Sequence, residues 1–306
     1  LFLDLPLLRG DEVPHAPYVA VSARPWPGSV AVYGSASDDG YELNRLIAAA
    51  AIVGTTETDL PRAAAGVMDR GAALRVKLVS GALASAARSE VLNGANVAAI
   101  GDGSSGNWEV FQFETADLVA GRTYDLSGRL RGQAGTDGVM PDVWPAGSTV
   151  VMLNGAPQQI DLALSARGLA RHYRIGPAQR GYDDPSYIHK LEAFDGIGLR
   201  PYAPVHLRAT REPDGTLHLD WVRRTRIDGD SWQSVEVPLG EDAEAYQIRV
   251  LQAEAVVREA TVSQPSWTYD ALVQSTDGLT GGFDVEVAQI SDRFGPGPFR
   301  RMTIDE

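Results

Sequence analysis

Three pairs of adjacent carboxylates, Asp38-Asp39, Asp183-Asp184 and Glu241-Asp242, are where this sequence holds the raw material for acid–base work. An acid and a base that act on one bond must face each other across a few ångströms. Neighbours on a strand point to opposite faces, however, and these pairs sit among glycines and prolines that mark turns. They are expected to be solvated turn residues. The five histidines, His15, His172, His189, His206 and His218, are dispersed, with no His-Glu-x-x-His spacing. His206 and His218 can approach across neighbouring strands, but two imidazoles do not make a zinc site. The absence of cysteine removes disulfides, thiolate catalysis, Cys-ligated zinc and iron–sulfur clusters together. No Gly-x-Ser-x-Gly elbow and no phosphate-binding loop is present. No cofactor, metal ligand or catalytic residue is expected.

The densest charge constellation is Arg223-Arg-Thr-Arg226, followed by Asp228, Asp230 and Trp232. Asp228-Gly229 reads as the turn of a protruding hairpin whose arms are 221–226 and 232–238. One reading makes Arg223, Arg224 and Arg226 a subunit contact, pairing bidentately with carboxylates across an interface. The other makes them a solvated hairpin with cross-strand pairs of about 0.2–1 kcal/mol each. Trp232 is open to the same choice, stacking on a sugar or a neighbouring subunit, or packing over its own hairpin.

The elements that must carry these residues are strands. Pro204-Val-His-Leu207, Leu217-His-Leu-Asp-Trp221, Tyr246-Gln-Ile-Arg-Val250 and Phe283-Asp-Val-Glu-Val-Ala-Gln-Ile290 alternate apolar with polar, the mark of half-buried strands. Together they resemble a fibronectin type III sandwich over 204–306, with Trp221, Tyr246 and Phe283 in its core. Such sandwiches often hold a corner with a tyrosine hydroxyl near the start of the late strand. Phe283 stands at that place here, so the corner is held by packing alone or by Tyr269 from the preceding strand. Upstream, short strands at sandwich or barrel spacing recur in 1–90 and again in 91–203. Tyr41 to Ile52 fits a strand or a short helix equally, and Gly81 to Leu92 a helical turn. The expectation is a mainly β chain of tandem sandwich- or barrel-like units, 1–90 and 91–203, ending in the fibronectin-like domain.

A chain of 306 residues with 44% hydrophobic content is large enough for two or three cores. Its net charge of −13 argues against a nucleic-acid clamp, which needs a basic face. Residues 204–306 carry eighteen acids and ten bases, the remainder twenty-two and seventeen, so neither part is a basic arm. The chain opens on Leu1 rather than Met, as a piece of something longer would. Its apolar start is broken by Asp4 and Pro6, and no apolar run is long enough to cross a bilayer, so neither a signal peptide nor membrane insertion is expected.

Several stretches resemble the C-terminal region of the large tail-hub, or host-specificity, proteins of phage-like gene transfer agents and related siphophages. They are 223–232 with Val237-Pro-Leu-Gly-Glu241 and Glu244-Ala-Tyr246; Trp108 to Phe113, Ala116-Asp-Leu-Val119, Tyr124-Asp-Leu126 and Leu130 to Thr136; and Leu3 to Leu7 with Pro25-Trp-Pro-Gly28. The similarity is spread over nearly the whole chain, and no single motif carries it. The resemblance implies a non-enzymatic component of a tail tip or baseplate, assembled in the bacterial cytoplasm. Its partners would be copies of itself, as a homotrimer around the DNA-exit channel, and other tail-tip proteins. DNA would pass nearby without specific binding. In that family a glycosidase-like barrel lies N-terminal to such a region, so any cell-wall hydrolase activity is expected elsewhere. Two alternatives stand beside this reading: a carbohydrate- or receptor-binding module that contacts the host surface through the hairpin and Trp232, and an accessory region of a cell-wall hydrolase.

Overall fold

The computed structural model describes residues 1–229 and 236–305. The chain is mainly β and divides into two units, Leu1–Gly198 and Leu199–Glu306.

In the first unit six antiparallel strands close into a barrel. Trp108–Ala120 pairs with Val97–Gly101, which is followed round the ring by Thr149–Met152, Val53–Thr56, Leu74–Leu78 and Thr123–Gln133. Thr123–Gln133 then pairs back with Trp108–Ala120, so no edge is left open. Strict alternation in Leu74–Leu78 puts Leu74, Val76 and Leu78 inside the barrel and Arg75 and Lys77 outside. Ile100, Phe111, Phe113, Leu126, Trp144 and Val150 fill the rest of the interior. On the long closing hairpin the register slips between Val110 and Gln112, where two residues of Thr123–Gln133, Arg131 and Gly132, face the single Phe111 of its partner. Gly132 sits in that bulge at φ +61°, and a Cβ there would lie 2.6 Å from the Asp137 Cβ.

A short three-stranded sheet, Phe2–Leu3, Tyr18–Val19 and Gln158–Gln159, forms a middle layer. Because neighbouring side chains on a strand diverge, Leu3 and Ala20 join the barrel's outer face, with Ala99, Val110 and Val151. Phe2 and Val19 pack on the other side, against Val30, Val32, Ile47 and Tyr173. Those residues belong to a four-stranded sheet in the order Ile188–Glu192, Arg171–Pro177, Val30–Ser35, Glu42–Ile47. Asp4 follows the first strand and is buried. Its carboxylate accepts the backbone N–H groups of Gly196 and Ile197, each at 2.8 Å.

The expected division into 1–90 and 91–203 is corrected here. The barrel takes strands from both sides of residue 90, and Val30–Ser35 pairs with Arg171–Pro177, so neither piece has a core of its own. The ambiguous stretch after Tyr41 is a strand, Glu42–Ile47, and the turn before Leu92 ends in a short helix, Arg88–Leu92.

The second unit is a sandwich of two sheets. Val205–Arg211, Leu217–Val222 and Ser266–Tyr269 form one; Ala255–Val262, Tyr246–Gln252, Phe283–Ser291 and Arg300–Ile304 form the other, to which the two-residue strand Gly295–Pro296 adds a fifth member beside Phe283–Ser291. Three strands facing four long ones in this order is a fibronectin type III-like arrangement. Trp221, Tyr246 and Phe283 are all in its core. Trp221 meets Tyr246 edge-on at 5.1 Å. Phe283 lies edge-on to Tyr269, whose hydroxyl donates to Asp277 in the connection between Ser266–Tyr269 and Phe283–Ser291. Asp277 also takes a forked bond from Arg258. The corner is therefore tied by Tyr269 from the preceding strand. Among the described residues no helix is long and apolar enough to cross a membrane, which leaves β-barrel spans unaddressed.

Candidate functional site

The arginine cluster is placed differently from the expected hairpin. The strand carrying Trp221 stops at Val222 and the next begins at Tyr246, so 223–229 and 236–245 pair in no ladder. Asp230 and Trp232 lie outside the described residues. The arginines tie the loop to itself and to the residues just before Val205–Arg211. Arg223 donates to the carbonyls of Pro238 and Val237 at 3.0 and 2.7 Å. Arg224 donates to the Ala203 carbonyl at 2.7 Å and lies over the Tyr202 ring. Arg226 pairs with Glu241 at 2.9 Å, their side chains 7% and 3% exposed, and also reaches the Gly240 carbonyl. Pro238 has no N–H to give a ladder, and guanidinium forks take over that part. Asp228 adopts the left-handed conformation at φ +49°, as a turn residue would.

Carboxylate and guanidinium chemistry is concentrated instead inside the first unit. Glu109 and Arg131 are fully buried and pair through two bonds of 2.6 and 2.8 Å. Glu109 also accepts the Trp144 indole N–H at 2.7 Å and the Gly132 N–H at 3.1 Å. Arg131 donates to the Pro61 carbonyl, and next to it Arg129 pairs with Asp69 at 2.8 Å. Each charge is answered by another charge or by backbone, as a buried network requires. Near its end Thr123–Gln133 gains Met68–Asp69 as a ladder neighbour, and Arg129 and Arg131 on it are buried.

A second cluster is exposed and gathers groups that sequence spacing kept apart. In the four-stranded sheet Arg174 is opposite His189, and His172 opposite Leu191, so the two histidines stand diagonally on one face. Their rings lie nearly in one plane, 12° apart with centres at 5.2 Å, and His172 Nδ1 is at hydrogen-bond distance, 3.0 Å, from His189 Nε2. The loop between Val30–Ser35 and Glu42–Ile47 brings Asp38 to the same place, its Oδ1 3.9 Å from His189 Nε2. Asp38 accepts a short hydrogen bond from the Tyr41 hydroxyl and an ion pair from Arg174 at 3.0 Å. These two hold its carboxyl below the ordinary range, the tyrosine bond contributing most. Burial and the same bond raise the Tyr41 phenol. Arg174 lies 5.1 Å over the Tyr41 ring, and Tyr182 touches both Tyr41 and Tyr33. Among the described residues, Asp38, His172 and His189 are the group whose donor atoms lie close enough, within 4.8 Å, to share one metal ion. The signal in the sequence was the hairpin implied by two strand-like runs around Gly181-Tyr-Asp-Asp-Pro185, which puts His172 and His189 on neighbouring strands. His206 and His218 form no such group; His218 bonds to Thr268. The pair Asp183-Asp184 belongs to a turn, Asp184 capping Ser186, and Glu241 and Asp242 are taken by Arg226 and Arg293.

Residues 51–151 match the family described as Rcc01698-like, C-terminal. Those bounds run from just before the first barrel strand, Val53–Thr56, almost to the end of the last, Thr149–Met152. No curated protein matches the chain. Among solved structures it is similar to the chicken CNTN1 FN1–FN3 domains, at 11% identity and a TM-score of 0.26, over 83% of this chain and 66% of that one. For a two-domain fibronectin type III segment of chicken tenascin the values are 7% and 0.25, over 83% and 99%. For domains d3–d4 of the rat CD45 extracellular region they are 10% and 0.27, over 44% of this chain and 63%, less than two thirds, of that one. The barrel is thus similar to the Rcc01698-like, C-terminal family over residues 51–151, and the last unit is fibronectin type III-like by its own strand order.

Proposed function

We propose that this chain is an architectural part of a phage-like tail tip or baseplate, working by assembly rather than by catalysis. The observation that carries the reading is where the resemblance to tail-hub proteins falls. Trp108 to Phe113, Tyr124 to Leu126 and Leu130 to Thr136 lie on the hairpin that closes the barrel and the turn that follows it, within the family-matched residues. The charges on that hairpin serve the barrel itself: Glu109, Arg129 and Arg131 hold strands and loops together. A rigid closed barrel followed by a fibronectin type III-like sandwich suits a part that bears load and presents surface. Its partners in this reading are further copies of the chain, as a trimer around the DNA path, and neighbouring tail proteins. The net charge of −13 suits a wall past which DNA slides without sticking.

Electron microscopy of intact particles from the producing cells tests this. Three copies of the barrel around the tail axis are expected. Particles that lack the chain, or that assemble normal tails and deliver DNA when its gene is deleted, overturn the reading.

A further inference from the structure

We propose that Asp38, His172 and His189 form a binding site for a divalent transition-metal ion, on the outer face of the four-stranded sheet. The site stands independently of the tail-tip reading. Bonds of about 2.0–2.1 Å to a tetrahedral ion set neighbouring ligand atoms about 3.3 Å apart. The His172 Nδ1–His189 Nε2 and His189 Nε2–Asp38 Oδ1 separations, 3.0 and 3.9 Å, bracket that value; the first is a hydrogen bond, whose proton moves to the ring's other nitrogen when the ion takes its place. The three donors come from three separate segments, and sheet register fixes two of them. His172 and Arg174 are two residues apart on one strand, with Leu191 and His189 as their cross-strand partners, so both imidazoles project from the same face.

The surroundings do what outer-shell groups do at metal sites, which is to orient and charge a ligand. Tyr41 and Arg174 both bond to Asp38 Oδ1, fixing the carboxylate beside the histidines. The Arg174 guanidinium also offsets the carboxylate's charge. An ion held mainly by charge and oxygen, such as calcium or magnesium, is therefore disfavoured. Two imidazole nitrogens and one carboxylate oxygen suit zinc, nickel or copper. The side chains of Asp38 and His189 are 50% and 40% exposed, which leaves room for water to complete the coordination. Bound there, an ion would pin the loop carrying Asp38 to the edge strand Ile188–Glu192.

Chelator-treated protein titrated with zinc chloride by calorimetry tests the site, with nickel, calcium and magnesium chlorides in parallel. One zinc per chain, a raised thermal midpoint and no calcium or magnesium uptake are expected. His172→Ala and His189→Ala should each weaken zinc binding about tenfold or more, with circular dichroism unchanged. A double His206→Ala/His218→Ala variant should bind as the parent does. No stoichiometric zinc uptake by the folded parent protein overturns the proposal, and leaves the cluster a hydrogen-bonded surface pair. So does uptake that survives both single substitutions, or calcium binding as strong as zinc binding.

Discussion

At the scale of single residues, burial decides what a charge is for. Removing one member of the Glu109–Arg131 pair strands the other in the core, so Glu109→Ala should destabilise by about 3–5 kcal/mol in denaturant unfolding. Replacing both with methionine should recover only part of that loss, since no charge is left alone but the Trp144 and Gly132 N–H groups lose their acceptor. Asp4 gives the opposite lesson. Burial pushes its carboxyl up from the ordinary 3.8 to about 6, against the pull of its two backbone donors. The folded chain then holds that proton more tightly than the unfolded one. Asp4's contribution to stability is present below about pH 4 and is lost as the pH rises through 6. Relative to Asp4→Asn, the parent should therefore lose about 2 kcal/mol between pH 4 and 7. Little of this was legible in the sequence. A carboxylate after a two-residue strand and an arginine in an alternating run look like surface positions until the second covering layer is known.

At the scale of elements, the strands were the legible part, because alternation is a local signal. Leu217 to Trp221, Tyr246 to Val250 and Phe283 to Ile290 all lie within strands of the terminal sandwich. Asp228-Gly229 is a hairpin-type dipeptide, yet 223–226 and 237–241 are held to each other by arginine bonds to carbonyls and to Glu241, which leave no periodic trace. Arg226→Ala, which strands the buried Glu241, should cost about 3–5 kcal/mol and speed amide exchange across 236–245. Tyr269→Phe keeps the ring against Phe283 but removes the bond to Asp277. A loss of about 1–3 kcal/mol is expected from denaturant unfolding, against near-neutrality if packing alone holds the corner.

At the scale of the whole molecule, one boundary was legible and the other was not. Gly196, Gly198, Pro201 and Pro204 cluster around the start of the second unit at Leu199. No local cue reveals that Val53–Thr56 pairs with Thr149–Met152, because that contact joins strands distant in sequence. Residues 199–306 made alone should therefore unfold cooperatively with a β-rich circular dichroism spectrum. Residues 1–90 made alone should show the narrow amide proton spectrum of an unfolded chain. A dispersed spectrum from 1–90 would refute the single first unit.

The pairing that closes this first unit also sets a timetable for its birth. As the chain leaves the ribosome, Val53–Thr56 has no neighbour on its Thr149–Met152 side until that strand emerges, and Val30–Ser35 waits still longer for Arg171–Pro177. Through most of its synthesis the N-terminal half is an incomplete set of strands with apolar faces open to water, so chaperone contact should be concentrated there. The terminal sandwich, whose strands all fall within the last third of the chain, needs no such wait.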